Sequence, residues 1–303
     1  MSDLILHHFD ISPYAEKVRT LLGVKRLAWQ SVQIPMVMPK PDLTALTGGY
    51  RKTPVMQIGA DVYCDSNGIA RELERRFPSP SLFPDGGRGF GVALGVWGDR
   101  FFEPGAGLAM SVNADLPADL VKDRRDFFSH MDFSQFAARI PHMYAQLRSQ
   151  LALIDEQLSD GRSFVLGNEP GLADATAWYP IWMGHGFLPT FGELVAPFQH
   201  LLRWQKRMRA VGHGQRTEID AERALVVSRE SAPLPGHGVD PADPLRLRVG
   251  QRVTVTPDDY GKVPVTGELL TLDLHEVALR REDRRAGEVV VHFPRLGYVV
   301  AAA

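Results

Sequence analysis

The chain has 303 residues, 44% hydrophobic and 23% charged, with a formal net charge of −2. That composition is globular, the length suits about two domains, and the near-neutral charge offers no global field for nucleic acid or an anionic membrane. Cys64 is the only cysteine, which excludes an intramolecular disulfide and a multi-cysteine metal site, so no metal is expected.

The N-terminus carries Asp3 and no basic segment ahead of its short apolar run, and no stretch approaches the roughly 18 apolar residues of a membrane span. A cytoplasmic protein is therefore expected. LILHHF (4–9) reads as a buried strand. Ala15, Val18, Leu21 and Leu22 then recur at helical spacing. LAWQSVQI (27–34) alternates as a strand, and PVMQIGADVYCDS (54–66) reads as a hairpin turning at Gly59-Ala60-Asp61. Ile69, Leu73 and Phe77 fall four apart on a closing helix. The first unit, 1–80, thus has the order βαβ, then ββα.

Between 88 and 230 the strand signals stop and helical ones dominate, as in FAARIPHMYAQLRSQLALIDEQL and PFQHLLRWQKRMRAV. Strand-bearing and then helical segments indicate two packed units. The proline- and glycine-bearing stretch SAPLPGHGVDPADP opens a linker over 231–248. Short β-rich runs over 249–303 predict a small all-β, barrel-like domain of about five strands. If the linker reading holds, truncation after about residue 230 leaves a folded two-domain protein.

Three short stretches of the first unit carry chemistry. Ser12-Pro13 follows a strand directly and opens a helix, which plain capping explains by itself. Thr53-Pro54 enters a strand where the missing N–H is not needed. Asp65-Ser66 ends a strand and opens a helix, either as a cap or as an anion site. His7 and His8 are consecutive on a strand and point to opposite faces, which favours structural roles over a shared metal.

Taken in order, Ser12-Pro13-Tyr14-Ala15, Thr53-Pro54 and Asp65-Ser66 resemble the N-terminal domain of glutathione S-transferases over about residues 3–78. The helical segment extends that resemblance to about residue 230, and GLADATAW (171–178) resembles the family's helix-capping motif, with Gly171 in place of the hydroxyl residue and Asp174 kept. The fold class implied is an α/β thioredoxin-like domain plus an all-α domain, followed by the small all-β domain, an addition to the usual two-domain pattern.

The resemblance implies glutathione as cosubstrate, a small hydrophobic electrophile, a homodimer, and neither nucleic acid nor membrane as partner. Ser12 would donate a hydrogen bond to the glutathione thiolate, with Tyr14 as the alternative donor. Ser66 and Asp65 would hold the γ-glutamyl end, Thr53 beside Pro54 the cysteinyl backbone, and Arg51 or Lys52 the glycyl carboxylate. A serine at position 12 cannot form a mixed disulfide, which argues against thiol-disulfide exchange. A non-catalytic ligand- or protein-binding module that retains the fold is the alternative, and the extra C-terminal segment favours it.

Overall fold

A computed structural model describes residues 4–84, 87–112 and 116–303, so the first three residues of the expected 1–80 unit lie outside the description. Strand β1 (Leu4–His8) pairs in parallel with β2 (Ala28–Gln33) and antiparallel with β3 (Val55–Ile58), which turns at Gly59 into β4 (Asp61–Cys64). Every residue of β1, β3 and β4 is buried because both faces of the sheet are covered. On one face Leu4, Leu6 and Met56 meet Val18, Leu21 and Leu22 of α1 (Pro13–Val24) and Ile69 and Leu73 of α3 (Ser66–Arg76). The other face carries α2 (Pro41–Thr47), whose Leu43 and Leu46 join Ile5, Val55 and Val62. This seven-residue helix has no counterpart in the sequence reading, since it is too short to display a period.

The two histidines of β1 are structural. His7 Nε2 lies 2.8 Å from Gln57 Oε1 and His8 Nε2 lies 2.9 Å from Ser31 Oγ. Burial lowers the pKa of His7 to about 4, and burial together with the Arg19 guanidinium lowers that of His8 to about 3, so both are neutral at pH 7.

The helical unit comprises α4 (Arg88–Val112), α5 (Ala118–Phe127), α6 (Phe136–Gln157), α7 (Leu172–Phe187), α8 (Phe191–Val195) and α9 (Gln199–Val211). Its core gathers Phe101, Leu147, Leu151, Ile181, Leu201 and Trp204. Asp174 accepts from the backbone N–H groups of Val165 (2.8 Å) and Gly171 (3.1 Å) and from Trp204 Nε1 (2.8 Å). Burial still pushes its pKa up to about 6. Glycine supplies no reciprocal capping hydroxyl, and a Cβ at Gly171 would stand 2.6 Å from the Leu82 carbonyl oxygen.

This unit docks on α1 through buried Glu16. Trp178 Nε1 and His213 Nε2 each approach Glu16 Oε1 at 3.0 Å, and Arg19 pairs with Oε2 at 2.9 Å. Two turns further along α1 the backbones almost touch, for a Cβ at Gly23 would sit 2.0 Å from the Gly212 carbonyl oxygen.

The helical unit ends at α9, short of the expected boundary at 230. Strand β5 (Gln215–Glu218) returns to pair in parallel with β2, and α10 (Ala221–Arg229) buries Ala224 and Leu225 in the same core as Ile5 and Val62. All four residues of β5 are exposed, so no apolar alternation announces the strand.

The C-terminal strands are β6 (Gly238–Val239), β7 (Arg252–Pro257), β8 (Val265–Leu272), β9 (Glu276–Asp283), β10 (Gly287–Pro294) and β11 (Tyr298–Ala302). Strand β10 pairs in parallel with β4, with Val291 opposite Val62, and so extends the first sheet. The eleven-stranded sheet runs β11-β7-β8-β9-β10-β4-β3-β1-β2-β5, with β6 beside β8. The β-rich C-terminal region expected from the sequence is present as β7–β11, but where the sequence suggests a separate barrel-like domain these strands, among the described residues, continue the first sheet. Their inner residues, including Val253, Leu269, Val291 and Phe293, share one core with α2, α10 and the first sheet.

The expected linker is likewise fastened down. The Leu234 N–H donates to the Asp61 carboxylate at 3.1 Å, and Gly238–Val239 pairs with β8. Asp61 also holds His292 Nε2 at 3.0 Å, while His292 Nδ1 bonds Glu276 and the imidazole stacks on Tyr63 with 4.4 Å between centroids. Burial by itself lowers the His292 pKa, but the two carboxylates outweigh it and the net shift is upward.

Two predictions follow from the shared sheet. Truncation after residue 230 uncovers the β4 edge and half of a core, so the shortened chain is expected to aggregate and to lose cooperative thermal unfolding, the opposite of what a free linker allows. The His292 imidazolium binds its proton more tightly folded than unfolded. Its contribution is therefore complete below about pH 6.5 and is lost as pH rises through the raised folded value. Replacing it, His292→Ala, should cost about 1.5–3 kcal/mol in urea unfolding at pH 6, the range for hydrogen bonds to charged groups, with the gap to wild type narrowing at alkaline pH.

Candidate functional site

The C-terminal end of β1, the start of α1, the entry to β3 and the start of α3 converge on one cleft of about 430 Å³ between the sheet, the helical unit and the C-terminal strands. Ser12 caps α1 from an extended conformation (φ −76°, ψ 121°), with its backbone N–H bonded to the Phe9 carbonyl at 3.0 Å. Its Oγ accepts from the Ala15 N–H at 3.2 Å. That bond uses an oxygen lone pair and leaves the hydroxyl proton to donate. Pro13 has no N–H of its own and starts the helix at a preset φ. Ser12 is only 3% exposed but lines the cleft.

Tyr14 sits two positions beyond Ser12 in α1, its ring 5.0 Å from Phe102 and 4.8 Å from Tyr179. It forms part of the apolar wall. Thr53-Pro54 is a cis peptide at the entry to β3, and Lys40 Nζ donates to Thr53 Oγ1 at 3.3 Å.

Asp65 has φ 72° and ψ 134°, a positive-φ conformation outside the αL well that few residues other than glycine adopt. Its Oδ1 caps the Asn67 N–H at 2.8 Å and its Oδ2 accepts from the Tyr298 hydroxyl at 3.1 Å. Tyr298 in turn lies 3.0 Å from the Tyr50 hydroxyl. A residue of β11 thereby orients a carboxylate at the cleft. Ser66 Oγ accepts from buried Lys17 Nζ at 3.2 Å, and Lys17 also donates to Asn67 Oδ1 at 2.8 Å.

The residues that the resemblance assigns to glutathione, Ser12, Tyr14, Arg51, Lys52, Thr53, Pro54, Asp65 and Ser66, therefore all line this cleft, but the cations there are not equivalent. Arg51 pairs with Asp123 of α5 at 2.7 Å, and Lys52 with Asp259 at 2.5 Å. Lys40 is 5% exposed and, among the described residues, forms no ion pair closer than 4 Å. Burial, reinforced by the nearby Arg124 charge, lowers its pKa to about 8.

Sequence reasoning missed Lys40, Asp123, Asp259, Tyr260 and Tyr298. The first stands in the short stretch MPKPD, and the others approach from segments far along the chain. Cys64 is fully buried, and burial followed by the Asp65 charge raises its thiol pKa well above the usual value. Such a thiol is not a nucleophile at neutral pH. Met36, Phe102, Met110, Phe127, Phe128 and Phe187 give the cleft an apolar lining beside its polar groups. Among the described residues no cluster of His, Cys, Asp and Glu could hold a metal ion, and no helix is long and apolar enough to cross a membrane.

A thioredoxin-like sheet with a helical unit packed on α1, and a cleft of mixed polar and apolar lining between them, is the architecture of a glutathione transferase. The profile of the glutathione S-transferase N-terminal domain matches residues 6–81, and that of the C-terminal domain matches 137–207. A GST-like protein from Pseudomonas syringae is 36% identical, with all of both chains covered and a TM-score of 0.82. The chain belongs to the glutathione S-transferase family, and the match to the Pseudomonas protein includes its C-terminal strands.

More distant structures share the fold. A glutathione S-transferase from Rhodospirillum rubrum F11 is 23% identical over 68% of this chain and 88% of its own, with a TM-score of 0.53. The beta-etherase LigF from Sphingobium sp. strain SYK-6 is 17% identical over 69% and 96%, also at 0.53. No curated protein sequence matches the chain.

Proposed function

We propose that the protein activates glutathione as a thiolate for attack on a small apolar electrophile. The observation that supports this reading is the meeting of Ser12, Thr53-Pro54 and Asp65-Ser66 at one cleft that is also lined by apolar side chains, among them Phe102, Met110, Phe128 and Phe187. The nucleophile is the thiolate, and free thiols are mostly protonated at pH 7. The Ser12 hydroxyl, aided by the positive end of α1, donates to the sulfur anion and lowers its pKa. The sulfur then bonds to the electrophilic carbon as the leaving group departs with its electron pair. The thiol proton is released to solvent.

In this reading Ser66 and the first N–H groups of α3 bind the γ-glutamyl carboxylate, with Asp65 opposite the ammonium. The Thr53 backbone pairs with the cysteinyl residue as an added strand does. Arg51 and Lys52 keep their acidic partners, so the glycyl carboxylate falls to Lys40. The same reading includes a homodimer in the cytoplasm, which sedimentation and cell fractionation would test. Thiol-disulfide exchange is disfavoured by the serine at position 12 and by the high thiol pKa of Cys64. A non-catalytic binding module is the second reading, supported by the C-terminal strands that reach the cleft.

Calorimetric titration with glutathione and conjugation kinetics separate these readings. Ser12→Ala is expected to bind glutathione within about threefold of wild type while kcat/KM falls on the order of 10²-fold. An unchanged rate would move the donor role to Tyr14, and binding without turnover in the wild type would favour the binding module. Lys40 loses its charge as pH rises through about 8. Wild-type affinity for glutathione should therefore drop more steeply between pH 7 and 9 than that of Lys40→Met, which is already weak at pH 7.

A further inference from the structure

We infer that the loop 258–263, between β7 and β8, is a specificity element of the cleft, with Tyr260 as the wall against which an aromatic electrophile packs. The inference rests on the reading of the cleft as a conjugation site. Tyr260 lies outside both segments matched by the family profiles, yet it lines the cleft together with Asp259.

Its position is held from several directions. The Tyr260 ring lies 5.1 Å from Phe127, the last residue of α5, and 5.0 Å from Phe128, its C-cap, and Lys52 Nζ stands 4.2 Å from its centroid. Lys52 is itself held by both carboxylate oxygens of Asp259, at 2.5 and 2.7 Å. The loop backbone is fixed at each end, by the Asp258 N–H on the Gly297 carbonyl at 3.0 Å and the Gly261 N–H on the Phe127 carbonyl at 3.1 Å. Gly261 is required there: its φ is 60°, and a Cβ would stand 2.5 Å from the Phe127 ring.

Lys52 is thus a strut that seats an aromatic side chain, which explains why a cation of the cleft is committed to an acid of the same chain. Aromatic rings arranged in this way accept another ring in offset or edge-on contact, and the neighbouring methionines, Met36, Met110 and Met183, adapt to its outline. A flat aryl electrophile gains from these walls, and a methyl-sized one does not reach them.

The test uses the full chain with two probes. With chlorodinitrobenzene the glutathione sulfur bonds to the ring carbon as chloride leaves; with iodomethane it bonds to the methyl carbon as iodide leaves. Tyr260→Ala should raise KM for chlorodinitrobenzene about tenfold while KM for glutathione and the rate with iodomethane stay within about twofold. Tyr260→Phe should match wild type, and Tyr260→Leu replaces the alanine variant should that one unfold.

An aryl KM that is unchanged in a folded variant, or a glutathione KM that moves equally, overturns the inference. If the wild type conjugates neither probe, the conjugation reading fails and the wall is read from fluorescence titration with anilinonaphthalene sulfonate. Affinity about tenfold weaker in the alanine or leucine variant supports the inference. Equal affinity, or no binding by the wild type, overturns it.

Discussion

The pairing of β10 with β4 is the constraint on which the rest of the molecule depends. A β4 edge without a neighbour would present unpaired N–H and C=O groups next to an apolar face, a combination that invites association with other chains. Here β10 satisfies that edge in parallel, and the Asp61–His292–Glu276 cluster fixes its register from the side. Because the added strands continue the same sheet, their inner residues complete the core begun by Ile5, Val55 and Val62. The C-terminal segment is therefore a structural part of the first unit, joined to it by hydrogen bonds and by shared apolar packing.

That attachment also determines what the cleft contains. Continuing the sheet past β4 carries Tyr298 to the Asp65 carboxylate and brings Asp259 and Tyr260 against Lys52 and the end of α5. The polar groups of the cleft stand largely on helix starts and a strand entry, which are rigid. The apolar lining comes largely from the segment before α2, from α4, α5 and α7, and from the loop between β7 and β8, so its shape depends in part on how the C-terminal strands sit. Glu16 performs the corresponding task on the opposite side, where one buried carboxylate joins α1 to α7 and to the segment after α9.

Much of this was legible in the sequence because its signals are local. Strand β1, the hairpin at Gly59, helices α1 and α3 and the dominance of helix from α4 to α9 all follow from apolar period and cap residues. Ser12, Thr53 and Asp65 were found because each stands at a junction of two elements. What escaped notice depends on distant partners. Strand β5 has four exposed residues and owes its existence to β2, and α2 is too short to show a period. The proline-bearing stretch after 230 looks like a tether in isolation, although Asp61 and β8 hold it against the sheet. Lys40, Tyr260 and Tyr298 belong to the cleft only through tertiary contacts, and no spacing rule connects them.

The distance along the chain between the two sides of the His292 contact has a consequence for biosynthesis. Asp61 and His292 are 231 positions apart. During translation β4 leaves the ribosome long before its neighbour exists, and domains otherwise fold as units in the order in which they are made. The nascent first unit must therefore keep an open strand edge and an unfilled core while the helices are synthesised. Such a long-range closure is slow on topological grounds, and the interval before it is when the chain has most need of a chaperone.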